Sequence, residues 1–237
     1  MRLAICVLSC AVATGCGGRS PTGPTDAARF ARLSRTRFVA FGDSLTSGEV
    51  TMPIGTAVTG MVVVPAASYP SVLQNQLQAR YSSQASDITV INAGFGAETV
   101  VTGVLRFADM LDEHRPEVVL LMEGVNGLGN IGPDVSAGLI RNMTQAAKAR
   151  GIRVFIASML PTIAGRQRSQ NAPLLELYNV RLREVCTLEG VTFVDLYGTL
   201  LPEVLDVIGI DGLHPTEAGY RRIADTFFTA IQRDLEQ

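Results

Sequence analysis

Short apolar runs alternate with longer amphipathic stretches along most of this chain. Residues 38–41, 88–91, 117–122, 152–158 and 191–196 form nearly all-apolar runs that end at turn-forming residues. Runs of that length, bounded by breakers, read as strands buried on both faces. Between and after them, residues 68–81, 98–111, 133–150, 172–189 and 215–235 place apolar side chains near helical spacing. Ser68 or Ser71 can start the first helix, and Gly151 and Gly190 stop the third and fourth. Pro215 suits the first position of the last helix, with Glu217 in its first turn. Five strands alternating with five helices predict an α/β fold: a five-stranded parallel sheet, helices on both faces and right-handed crossovers. The loops at the carboxyl ends of the strands then carry Ser44, residues 92–98, Asn126 and the segment after Ser158. They converge on one rim, where open α/β sheets bind their ligands.

Three segments stand outside this alternation. Arg2, an apolar run over residues 3–12 and the small residues Ala13-Thr14-Gly15 have the layout of a signal peptide. The run is too short to span a bilayer. Ala13-Thr14-Gly15-Cys16 also resembles a bacterial lipobox. That resemblance implies lipidation of Cys16 and an exported cell-envelope lipoprotein; plain cleavage and free secretion is the alternative. Residues 17–36, rich in Gly, Pro, Ser, Thr and Arg, read as a flexible tether before a domain over 37–237, with a short helix over 27–33. Residues 48–67 are apolar and interrupted by Gly and Pro. They are either a lid or binding loop suited to an acyl substrate, or a hairpin capping the domain.

Composition narrows the function. With 237 residues, 47% hydrophobic and 18% charged, the chain is expected to be one globular domain and a monomer. A net charge of -2 and no long basic run argue against a nucleic-acid partner. Membrane contact is expected only through Cys16. Two histidines, His114 and His214, exclude a multi-histidine metal site, and no Cys-x-x-Cys occurs. His114 sits in a charged helix exit and is expected at the surface. Cys186 lies in a helical pattern and is expected to be a small buried apolar side chain.

The candidate chemistry starts at residues 38–47, FVAFGDSLTS. Gly42 is expected to let the backbone turn sharply at the strand's end. Ser44 then stands where such sheets place ligand chemistry, although a serine or aspartate there can also serve as a plain helix cap. A nucleophilic serine needs a base, an orienting acid and donors for an oxyanion. Asp211-Gly212-Leu213-His214-Pro215 can supply two of these: a turn at Gly212 would return the carboxylate to one imidazole nitrogen and leave the other free. The same residues also suit an ordinary turn and helix entry. Gly94-x-Gly96 follows a strand and opens a helix, but position 99 is Thr, so the dinucleotide fingerprint lacks its third glycine. Its backbone N–H groups can instead face an oxyanion. Asn126 either supports a left-handed turn or donates its amide to the same oxyanion.

Gly42-Asp43-Ser44-Leu45 together with Asp211-x-x-His214 resembles the GDSL, or SGNH, family of serine hydrolases over about residues 38–235. The resemblance implies a flavodoxin-like three-layer α/β/α sandwich. It implies Ser44 as nucleophile, Asp211 as orienting acid and His214 as base. The oxyanion donors would be the Ser44 N–H, the Asn126 amide and a backbone N–H after the second strand. The family's glycine at that last position aligns with Ala97, with Gly96 one place early, so the donor is left between these two. The aspartate that usually follows the asparagine is Gly127 here. The implied activity is cleavage of acyl or acetyl carboxylic esters through an acyl-enzyme, with no metal or organic cofactor. Lysophospholipids, thioesters and acetylated carbohydrates all fit. The two departures motivate an alternative: a lipid-anchored module of the same fold that binds glycan or lipid without turnover.

Overall fold

The computed structural model describes residues 31–55 and 58–237. Cys16, the signal-peptide pattern and most of the expected tether and short helix lie outside those residues. Five parallel strands form the sheet: β1 (Arg37–Gly42), β4 (Thr89–Gly94), β5 (Val118–Met122), β6 (Arg153–Ala157) and β7 (Thr192–Val194). Their order is β4-β1-β5-β6-β7. The chain therefore moves one way from β1 to β4 and the other way afterwards, which is the flavodoxin-like order. Right-handed crossovers then divide the helices between two faces. Helix α2 (Tyr69–Arg80) packs with the last helix, α8 (Glu217–Leu235); α3 (Val100–His114), α4 (Leu128–Ala149) and α5 (Ala172–Glu189) pack in series. The reversal leaves a crevice between the carboxyl ends of β1 and β5, where a ligand site belongs.

The core explains why these runs became strands. Every residue of β5 is buried, and so are Phe38 to Gly42 of β1. Helices lie over both faces, so no alternation survives in the sequence. Phe41 meets Phe107 of α3 edge-to-face at 5.0 Å, and Tyr69 of α2 stacks on Phe227 of α8 at 5.2 Å. Burying one such side chain contributes about 1.5–3 kcal/mol. Cys186 is buried in α5, where desolvation pushes its thiol up to about 12. His114 ends α3, at the amino-terminal end of the sheet and away from the crevice.

One open alternative is decided and three local readings change. Residues 48–67 contain an antiparallel hairpin, β2 (Glu49–Ile54) with β3 (Val58–Val63). Helix α4 starts at Leu128 rather than at Pro133. Its path kinks at Gly132 (φ 79°, ψ 163°), so Pro133 opens the second, longer part, which is the part the apolar spacing marks. The last strand is shorter than residues 191–196, because Asp195 caps a short helix α6 (Leu196–Leu200) by accepting from Gly198 N–H. Finally, residues 31–36 belong to the folded body. Leu33 is buried, bridges to Glu236, and exchanges two hydrogen bonds with the Gln84 side chain at 2.8 and 3.1 Å.

Gly42 has a reason other than the expected one. Its φ is ordinary, but a Cβ there would fall on the Met122 carbonyl oxygen and Thr46 Oγ1. The next strand's Gly94 is constrained in the same way, by the Ser47 backbone. Glycine is needed for close approach. Gly42→Ala is therefore expected to lower the unfolding free energy by about 2–3 kcal/mol. Gly138→Ala, on an open face of α4 with nothing within 4 Å, should raise it by about 0.5–1 kcal/mol. Urea titrations of the two variants check both signs.

Candidate active site

The turn after β1 leads directly into a one-turn helix, α1 (Ser44–Ser47). Asp43 caps it: Oδ1 accepts from Leu45 N–H at 2.9 Å. Ser44 is thus the first helical residue, whose own N–H has no intrahelical acceptor. Far along the chain, two more short helices, α6 and α7 (Val204–Val207), precede the 208–216 loop. That loop is closed by Gly209 N–H donating to the His214 carbonyl at 2.7 Å. Gly212 takes φ +85°, and its missing Cβ also leaves room for Arg166 and Ile163. Both properties need glycine.

The loop brings Asp211 and His214 to Ser44. His214 Nδ1 lies 2.6 Å from Asp211 Oδ2, and His214 Nε2 lies 2.9 Å from Ser44 Oγ. An ionised carboxylate only accepts, so Nδ1 carries the proton and Nε2 of the neutral ring accepts from the serine hydroxyl. Asp211 Oδ1 accepts from the backbone N–H of Leu213 and of His214, each at 3.0 Å. Burial raises the Asp211 carboxyl, but the His214 side chain and these N–H groups outweigh it and hold the group below its usual value. Arg168 adds its backbone N–H to the Asp211 carbonyl at 2.9 Å, and its Nε lies 3.6 Å from Oδ2. No motif marks Arg168 in the sequence. All three members of the set are nearly excluded from solvent: Asp211 0%, His214 1% and Ser44 3% exposed.

The turn after β4 and the turn after β5 meet beside Ser44. Asn126 donates one amide N–H to the Glu98 carbonyl at 2.9 Å, which orients the side chain and leaves its second N–H for a ligand. Ala97 takes φ +60°, the left-handed region where glycine is usual, at a cost of about 1 kcal/mol. Gly96 has an ordinary φ; a Cβ there would meet the Glu49 carboxylate. Gly127 takes φ +75°, ψ 0° as the residue before α4, a conformation glycine adopts freely. A polar depression of about 300 Å³ adjoins this rim, lined by Val125, Asn126, Arg168, Asn171 and Leu213 among others.

Acidic groups crowd beneath the serine. Gly42 pairs with Met122, so Asp43 and Glu123 follow side by side at the ends of β1 and β5. Each keeps one buried oxygen without a partner, Asp43 Oδ2 and Glu123 Oε2. Desolvation raises Asp43 to about 7, against the Leu45 N–H and the nearby imidazole. Desolvation, then the charges of Asp43 and Glu98, raise Glu123 well above the usual carboxylate range. Glu98 is neutralised by an ion pair with Arg106, whose guanidinium lies over the Phe41 ring. This arrangement can take the proton from Ser44 through His214, hold the resulting cation against Asp211, and present N–H groups to a developing oxyanion.

Comparison with known proteins agrees in one direction. The chain matches the model of the GDSL-like lipase/acylhydrolase family over residues 40–222. It is 28% identical over 192 residues to an arylesterase of Vibrio mimicus, covering 80% of this chain and 84% of the relative. It is 25% identical over 158 residues to esterase TesA of Pseudomonas aeruginosa, covering 66% and 76%. A lipase/acylhydrolase structure from Enterococcus faecalis superposes with a TM-score of 0.70 at 20% identity, covering 84% of this chain and 97% of that one.

Asp43 has a measurable signature. A carboxyl raised in the folded state above its ordinary value near 3.8 leaves stability full below that value. Stability is then lost as pH rises through the folded value near 7. Asp43→Asn keeps the cap acceptor and removes the ionisation. Denaturant melts between pH 4 and 8 should show the wild type losing a few kcal/mol relative to this variant as pH rises, at about 1.4 kcal/mol per unit. Parallel curves would contradict the assignment.

Proposed function

This chain belongs to the GDSL-like lipase/acylhydrolase family, and we propose that it cleaves carboxylic esters by a Ser44–His214–Asp211 triad and a covalent acyl-enzyme. The observation that carries this reading is the continuous chain of hydrogen bonds from Ser44 Oγ through both imidazole nitrogens to a buried carboxylate, 2.9 and 2.6 Å long. Ser44 Oγ attacks the ester carbonyl as His214 Nε2 takes its proton. The oxyanion is met by the Ser44 N–H, the free Asn126 N–H and a backbone N–H of the 96–97 turn. The tetrahedral adduct collapses, and His214 gives its proton to the leaving alcohol oxygen. A water, deprotonated by the same imidazole, then releases the acid. Proton transfer and charge are handled by side chains and backbone, so the proposed chemistry calls for no metal or organic cofactor.

The hairpin supports an apolar acyl group. Met52, Ile54, Met61, Val62 and Val63 are exposed large hydrophobics on it, and Phe95 beside the 96–97 turn is 63% exposed. The site draws all its parts from one chain, so a monomer suffices for the proposed reaction. The amino-terminal pattern ending at Cys16 supports an exported enzyme tethered to the cell envelope.

Ser44→Ala should reduce hydrolysis of p-nitrophenyl acyl esters to background. Asn126→Ala should lower kcat by about 10²–10³ while the fold, read by circular dichroism, persists. Substantial turnover by the Ser44 variant would end this reading. Across acyl chain lengths, kcat/KM should rise from acetate towards longer neutral chains.

A further inference from the structure

Glu49 is a carboxylate at the reaction centre that the proposed mechanism does not use. It opens β2, one residue after the left-handed Gly48 that closes α1. Its backbone is pinned, because the Tyr220 hydroxyl donates to the Glu49 carbonyl at 2.7 Å and also lies 3.4 Å from the Ser44 carbonyl. Strand root and serine turn are therefore held by one buried side chain. The carboxylate faces inward, with the side chain only 12% exposed, and Oε2 lies 3.9 Å from His214 Nε2. That nitrogen is the one facing Ser44. Oε1 occupies the space that a Cβ at Gly96 would need. Among the described residues, no lysine or arginine forms an ion pair with Glu49, whereas Glu98 has Arg106 and Asp211 has Arg168.

We propose that Glu49 is a specificity-determining residue that selects substrates by charge. On the ester-hydrolase reading, from which this inference proceeds, the carbonyl carbon must come within about 3–3.5 Å of Ser44 Oγ. The leaving oxygen must come within hydrogen-bond reach of Nε2. Glu49 lies near Nε2, the nitrogen that must reach the leaving oxygen, whereas Asp211 holds Nδ1. An ester carrying a negative charge a few bonds from its carbonyl must bring that charge towards an unpaired carboxylate in a site where solvent screens little. A neutral ester meets no such repulsion, and a cationic one gains a partner. The hairpin face agrees: the register pairs Glu49 with Val63 and Thr51 with Met61, so Glu49, Val63 and Met61 share one face. An uncharged chain can lie there, next to a carboxylate that rejects anions.

Three p-nitrophenyl esters of matched acyl length test this: pentanoate, hydrogen glutarate and 4-(trimethylammonio)butyrate, each corrected for spontaneous hydrolysis. In the wild type, kcat/KM should follow the order cationic, neutral, anionic. In Glu49→Gln the anionic-to-neutral ratio should rise about tenfold and the cationic-to-neutral ratio should fall, a difference of about 1.4 kcal/mol. Glu49→Asp, in which the carboxylate withdraws, should lie between. The wild-type ratios should persist at 0.5 M salt, since a buried charge is screened far less than the overall net charge. Ratios in Glu49→Gln within twofold of wild type, or a proportional loss on all three esters, would overturn the proposal. If the wild type turns over no neutral ester, it is the hydrolase reading that has failed.

Discussion

The contact between Ser44 Oγ and His214 Nε2 joins residues 170 positions apart, and most of the fold serves to make it. Helix packing alone does not set a side chain to within a few tenths of an ångström. Here the setting is done by backbone. Glycine at 42 and 94 lets three neighbouring segments approach more closely than any side chain allows, which places the serine turn hard against β5 and β4. Glycine at 212 does the same for the histidine loop against residues 163–166. The Tyr220 hydroxyl, from the helix that follows His214, then reaches the serine turn itself. The two halves of the site are thus tied through α8 as well as through the imidazole.

Charge is the second constraint. Asp43, Glu49 and Asp211 gather around one imidazole, with Glu123 and Glu98 next to Asp43. Each is managed differently: Glu98 by Arg106, Asp211 by His214, Arg168 and two backbone N–H groups, Asp43 and Glu123 by burial that favours the neutral acid. Burial disfavours charge on the pair beneath the serine, whereas Asp211 is held as a carboxylate beside the ring. Such crowding costs stability, and the sheet's large buried core offsets it. Among the described residues Glu49 faces the reaction centre with no lysine or arginine partner, which is why it bears on the choice of substrate.

Much of this was legible in the sequence, and the limits have physical causes. The central strands declared themselves because burial on both faces makes them continuous apolar runs. Ser44, Asp211 and His214 declared themselves through two short spacings. The hairpin over residues 49–63 could not be told from a loop, because its exposed apolar residues show no contrast between faces. The docking of residues 31–36 depends on Gln84 and Glu236, both remote in sequence. A glycine that ends a strand can serve backbone freedom or clearance, and only the position of the facing segment shows that Gly42 serves clearance. Arg168, Glu49, Glu123 and Tyr220 belong to no spacing rule; their roles come from what the fold sets beside them. The backbone donor stayed between Gly96 and Ala97 because φ and clearance, the properties that separate them, are tertiary.

The central claim is that Ser44 is a hydroxyl activated by His214. The most direct measurement is labelling of the intact protein by a fluorophosphonate, followed by peptide mass mapping. The account predicts a single adduct on Ser44, formed rapidly by the wild type and slowed by at least about a thousandfold in His214→Ala. An adduct on another residue, or wild-type labelling of Ser44 without the imidazole, would contradict it.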